Sequence, residues 1–229
     1  MKKLLSPWFA LVTLLFVLFV RVENPTFVEN VRLKYFDSLI TSKPVKQSEN
    51  IILINIDDVA LEKYGQWPLP RSNYANIIRE LYGKNAGLVV FNVFMPDKDR
   101  FGQDSSVSDL LKEWMVVLPQ SATNQNIHTD TIPFRPGVSV IGNSDSQFTV
   151  DYKYIQPNVK EINDVVAGAG VVNTFPESDG VVRRVPMLVS SQGMLYPSIA
   201  METLRVSSGD PSFQVKVNEL GIEALRIPK

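Results

Sequence analysis

The chain has 229 residues, 45% of them hydrophobic, which is enough for one packed domain with appendages. Lys+Arg 23 against Asp+Glu 24 give a net charge of −1, which excludes nucleic acid as the main partner because no basic excess is left to neutralise phosphates. The absence of cysteine excludes a disulfide scaffold, a thiolate zinc site and a thiol nucleophile together, and it suits an oxidising compartment.

The N-terminus, "MKKLLSPWFALVTLLFVLFV", is two lysines followed by an apolar run from Leu4 to Val20. As a helix that run would be ~26 Å long, close to the ~30 Å hydrocarbon layer of a bilayer. It has no polar face, as a helix on a soluble core would. No small-x-small cleavage site follows in "RVENPTFVEN", so the run reads as an uncleaved signal anchor. Residues 1–22 are thus a short cytoplasmic tail and a single membrane span. Residues 23–229 are expected outside the cytoplasm, since long domains translocate largely regardless of flanking charge.

Phe27, Val31, Tyr35 and Leu39 recur once per turn and predict a helix, with Asn24 or Thr26 as its cap around Pro25. "IILINI" (51–56) is an apolar, β-branched run that predicts a buried strand. After "YGQWPLPR", residues Tyr74, Ile77, Ile78, Leu81 and Tyr82 predict an amphipathic helix capped by Ser72. "GLVVFNVF" (87–94) predicts a second buried strand, which would make 51–94 a βαβ unit with parallel strands. "DSSVSDLLKEW" reads as a helix, "MVVLP" and "VSVIG" as strands, and residues 121–136 as a surface loop. "GVVN" and "VVRRVPMLV" read as strands joined by a reversal at "PESDG". "YPSIAMETLRV" reads as a helix starting near Pro197, and "FQVKVNELGIEALRIP" as a closing hairpin. The fold class is therefore α/β, a three-layer domain with a mixed, partly parallel sheet behind one N-terminal transmembrane helix.

Polar residues at the ends of parallel strands are where α/β folds place their sites. Asp57 and Asp58 follow the first predicted strand; Asn92 lies within the second, with Asp97 and Asp99 after it. These oxygen ligands would suit magnesium or calcium, but the pattern is permissive and capping and solvated roles account for it better, so no metal is assigned. Pro68 and Pro70 stiffen the loop that carries Trp67 and Arg71. Arg71 could receive an anion at the helix start, or pair with Asp57 or Asp58 to lock the loop. In "PESDGVVRRVP", Asp179-Gly180 makes a tight turn, and Arg183 and Arg184 would point to opposite faces of the strand that follows. An inward arginine needs a partner, most simply Asp37 or an acid after residues 51–56. His128, the only histidine, lies in the irregular loop and reads as a solvated residue. No nucleophile elbow, phosphate loop or zinc-protease motif occurs, so the chain does not read as an enzyme.

The succession of anchor, "RLKYFDSL", "IILINIDDVALEKYGQWPLPRSNYANII", "GLVVFNVFMPDKD", "GVVNTFPESDGVVRRVPML" and "LYPSIAMETLRV" resembles the second class of CHASE domains. These are extracellular sensory domains associated with cyclases and histidine kinases. The WP-x-PR loop and the N…D-DGVVRR-x-P segment are its most specific pieces. The resemblance implies an input module binding an unknown small-molecule or protein ligand. It also implies a homodimer at the inner membrane of the cell, a cytoplasmic output domain or partner, and no cofactor. Its family positions are Asp37, Asp57, Trp67, Pro68, Arg71, Asn173, Asp179, Gly180, Arg184, Pro186 and Ser198.

Together these readings make Asp57, Asp58, Trp67, Arg71, Asn92, Asn173, Asp179, Arg183 and Arg184 candidate ligand-binding residues. Asp37, Pro68, Pro70, Gly180, Pro186 and Ser198 are candidate structural clamps. Asn92 stands where the family commonly has aspartate, which removes a charge beside Asp57. The sensory domain is expected to be incomplete at its C-terminal end. The alternatives are a membrane-anchored metal-dependent hydrolase using Asp57, Asp58, Asn92 and Asp97, and an architectural anchor for a partner protein.

Overall fold

A computed structural model describes residues 7–44, 48–142 and 148–227. Lys2, Lys3 and the first three residues of the run Leu4–Val20 lie outside the described residues. The chain divides into two compact units, Met1–Ile54 with Phe175–Arg183, and Asn55–Thr174 with Arg184–Lys229.

The first unit is led by two helices, α1 (Pro7–Glu23) and α2 (Thr26–Thr41). No residue of α1 is buried. Pro25 opens α2 without a side-chain cap; Asn24 turns instead into left-handed backbone and bonds Glu29 Oε2 at 3.0 Å. The single membrane span expected over Leu4–Val20 does not stand out. Among the described residues no one helix is long and apolar enough to cross a membrane, and α1 and α2, bent by 80°, meet that test only as a pair.

The predicted strand 51–56 is not one. Ile51, Ile52, Leu53 and Ile54 belong to no strand and are exposed, Leu53 by 85%. A β-branched run favours extended backbone, but a strand also needs a ladder partner, and these residues have none among those described.

The second unit begins with α3 (Asp58–Tyr64) and α4 (Arg71–Gly83). The strand expected over 87–94 shrinks to β1 (Val89–Val90), because the chain folds back where the Val93 amide donates to Phe91 O at 2.8 Å. The βαβ unit over 51–94 therefore does not form. Instead β1 pairs in parallel with β2 (Val116–Thr123), reached through α5 (Asp104–Leu111). Strand β2 also pairs in parallel with β6 (Gly168–Val171), and its far end pairs antiparallel with β5 (Tyr154–Gln156). Two further three-stranded sheets replace the one mixed sheet expected. One orders β10 (Gly221–Arg226), β9 (Ser212–Asn218) and β3 (Gly137–Ile141). The other orders β4 (Val150–Tyr152), β7 (Leu188–Ser191) and β8 (Met194–Pro197). The fold is mixed α/β with partly parallel sheets.

The main core joins Tyr74 and Ile78 of α4, Val107 and Leu111 of α5, Val116 and Leu118 of β2 and Ile162 of the short α6 (Lys160–Asn163). Helix α7 (Ile199–Ser208) packs on β6, and the two glycines of that strand make the approach possible. A Cβ on Gly170 would stand 2.4 Å from Ile199 Cα, and one on Gly168 2.5 Å from Glu202 Oε1. Glu202, fully buried, is held by Arg205 at 2.6 Å, and Arg205 also bonds the carbonyls of Ala167 and Asp210. Burial pushes the Glu202 carboxyl up, and Arg205 opposes the shift.

Candidate functional site

Some of the candidate residues gather in two sets, one in each unit, and the rest are dispersed. In the first unit they close on Arg183. Its Nε donates to Asp37 Oδ1 and its Nη2 to Asp37 Oδ2, both at 2.7 Å. The same guanidinium reaches Asp179 at 2.9 Å from Nη1 and 2.7 Å from Nη2. The geometry follows from a tight turn: the Glu177 amide donates to Val181 O, the Gly180 amide to Glu177 O, and the Val181 amide to Asp179 Oδ1. Gly180 takes φ +82°, which a side chain would resist.

The Arg183 side chain is only 5% exposed. Its hydrogen bonds hold the Asp179 carboxyl down to about 2 and lower Asp37 as well. In return the two carboxylates raise the affinity of Arg183 for its proton. This is the Arg183–Asp37 pairing that the sequence allows, but it arises without the expected strand. Residues 181–187 carry no ladder, and β7 starts only after Pro186, which has no N–H to give. Arg183 and Arg184 are thus not opposite faces of a strand. Arg184 lies in the second unit and is exposed.

In the second unit the WP-x-PR loop is locked from several sides. Arg71 is the first residue of α4 and is 7% exposed. Its Nε donates to Asp104 Oδ1 at 3.1 Å and its Nη2 to Asp97 O at 3.0 Å. The clamp partner is therefore Asp104, at the N-terminus of α5, and neither Asp57 nor Asp58. Asp104 Oδ2 accepts from the Asp99 amide, Asp99 accepts from the Gln103 amide, and Gln103 accepts from the Ser72 amide. Gln103 thus satisfies a free donor of the first turn of α4, and the Ser72 side chain forms no cap.

Tyr74 accepts from the Leu69 amide at 3.0 Å, and its ring lies 6.0 Å from Trp67 and 5.3 Å from Phe91. Arg100 donates to Pro68 O. Pro70 directly precedes α4, and Trp67, in a cis peptide with Pro68, stays 46% exposed. The loop is a stiff corner with its cation consumed from within; an incoming anion would have to displace Asp104.

The remaining candidates are dispersed. Asp57 caps α3 through the Ala60 amide at 3.0 Å, while Asp58 and Asn92 are exposed. Asn173 bonds both the amide and the carbonyl of Ala122 at 2.7 Å, bridging to β2. Ser198 caps α7 through the Met201 amide. Among the described residues no three His, Asp or Glu side chains gather as a metal site would require. Sequence reasoning missed Asp104, Gln103, Glu202 and Arg205. The (i, i+3) spacing of the last two on one helix was a visible signal, whereas the 33 residues between Arg71 and Asp104 left none.

A fold of small, partly parallel sheets, an apolar leading helix and an arginine-closed D-G turn defines a mixed α/β module. The CHASE2 domain family matches residues 12–229, and the chain belongs to that family of extracellular sensory domains. No curated protein and no solved structure matches the chain.

Proposed function

We propose that the chain is the extracytoplasmic input module of a transmembrane signalling receptor. It binds a ligand outside the cytoplasm and passes the change through its membrane-proximal helices to a cyclase, diguanylate cyclase or kinase output. The match to the CHASE2 family over residues 12–229 carries this reading. The apolar surface of α1 supports it: Trp8, Phe16 and Phe19 are all exposed, and a bilayer would cover them.

The Arg183 clamp offers a mechanical route, since it fixes α2, the helix that follows α1, to a loop whose two ends continue into the second unit. A ligand acts through such a joint only by differing in affinity for two states of it. Two copies, their α2 helices side by side, form the receptor.

Carbonate washing of membranes containing the full chain tests the anchoring. The chain should stay in the pellet, and a version lacking residues 1–23 should wash off. Release of the full chain would end this reading.

A further inference from the structure

The strands β3, β9 and β10, together with the β7–β8 hairpin, leave a cavity of about 250 Å³ that none of the candidate residues lines. Its walls are those of a third, loosely filled hydrophobic cluster: Val138 and Val140 from β3, Val215 and Val217 from β9, Phe148 and Leu195. Val140 is 37% exposed, so this core opens towards solvent. Native interiors are filled to nearly crystalline density, and a void lined by valines of β3 and β9 and by Ile222 stands out.

Among the described lining residues two side chains carry nitrogen or oxygen, Thr149 and Arg135. Arg135 is exposed and has neither an ion pair nor a hydrogen bond among the described residues. It therefore differs from Arg71, Arg183 and Arg205, each of which is consumed by a carboxylate.

From this combination we infer that the cavity is the ligand site of the sensor, and that its ligand is a small hydrophobic monocarboxylate. The inference rests on the sensory reading above. The volume lies just under the ~300–1,000 Å³ of sites for drug-sized molecules, which limits the apolar part to roughly six to ten carbons. The single guanidinium matches the two oxygens of a carboxylate with parallel hydrogen bonds. The Val, Leu, Ile and Phe side chains of the lining take the hydrocarbon, and among the described lining residues no anion opposes it.

The test titrates hexanoate, octanoate and decanoate into the full chain in lipid nanodiscs, with empty discs subtracted. Saturable binding with one site per chain is expected, tightening about fourfold per added CH₂ until the cavity is full. Octanol should bind more weakly. Arg135→Gln, an exposed change, should weaken octanoate by roughly tenfold or more and leave octanol unchanged. Val140→Phe, at a partly exposed wall position, should block both.

No saturable binding, or binding indifferent to both substitutions, would mean that the void is only loose packing and would overturn the inference. If carbonate-washed membranes keep the chain while octanoate fails to bind, this inference falls and the sensory reading stands. If octanoate binds but the chain washes off, the site stands and the sensory reading falls.

Discussion

Arg183 grips Asp37 with a two-pronged hydrogen bond across 146 residues of sequence. The contact fixes the C-terminal part of α2 to the turn at Asp179 and Gly180. An arginine suits this task because its planar fork gives each carboxylate a pair of hydrogen bonds, whereas a lysine offers a single nitrogen. Replacing Arg183 by alanine should raise amide hydrogen exchange across Thr26–Thr41 and residues 175–183 and leave the α4–α5 core protected. Lysine at the position should restore only part of the protection. Unchanged exchange in α2 would show that the clamp does not hold it.

The same joint should loosen in acid. Asp179 is held down to about 2, and Asp37 is lowered too, both by hydrogen bonds from Arg183. Such groups stabilise the folded state fully above the unfolded aspartate range near ~3.9. That contribution is lost as the pH falls from there towards about 2. The opening of α2, taken as its exchange relative to that of an unprotected amide at the same pH, should therefore stay flat from pH 6 to about 4 and then climb. In Arg183→Ala the climb should be absent, because the low-pH behaviour is already present at pH 6.

The buried pair in the second unit gives the largest expected loss of stability. The Arg71 and Asp104 side chains are 8% and 7% exposed. Asp104→Leu strands a buried guanidinium and should cost about 3–5 kcal/mol. Removing both charges together, Arg71→Met with Asp104→Leu, should cost much less. Asp57→Ala removes only the α3 cap and should cost about 1 kcal/mol. Thermal unfolding of the three variants ranks them directly, and an Asp57 loss as large as that of Asp104 would contradict the clamp.

What could be read from residue order was what local periodicity and turn chemistry encode. The helices α2, α4, α5 and α7, the strand after Met115 and the final hairpin all follow from patterns within a dozen residues. Ser198, expected only as a structural clamp, serves as the cap of α7. The run at 51–56 misleads because its composition reports only a preference for extended backbone, while pairing depends on distant chain. The partner of Arg71 was hidden in the same way, since several aspartates lay within plausible reach and only the fold selects Asp104. The short strands β4, β5, β7 and β8 hold three or four residues each, too few to display an alternation. The cavity beside Arg135 has no motif at all, because it comes from four separate segments.

Glycine substitutions should have opposite signs in two places. Gly170→Ala would force a methyl onto the backbone of Ile199 at the start of α7 and should destabilise by about 1–3 kcal/mol. Gly83→Ala, at the end of α4 with open space around it, should be neutral or gain up to about 1 kcal/mol. Urea denaturation of both variants checks the pair.

The central claim is that residues beyond the apolar anchor face away from the cytoplasm. Because the chain has no cysteine, Asn126→Cys places a unique label site on an exposed loop. The measurement is labelling of this variant by a membrane-impermeant maleimide, with the outer barrier opened and the inner membrane intact. Full labelling before lysis is the expected result. Labelling that appears only after the inner membrane is broken would contradict the account.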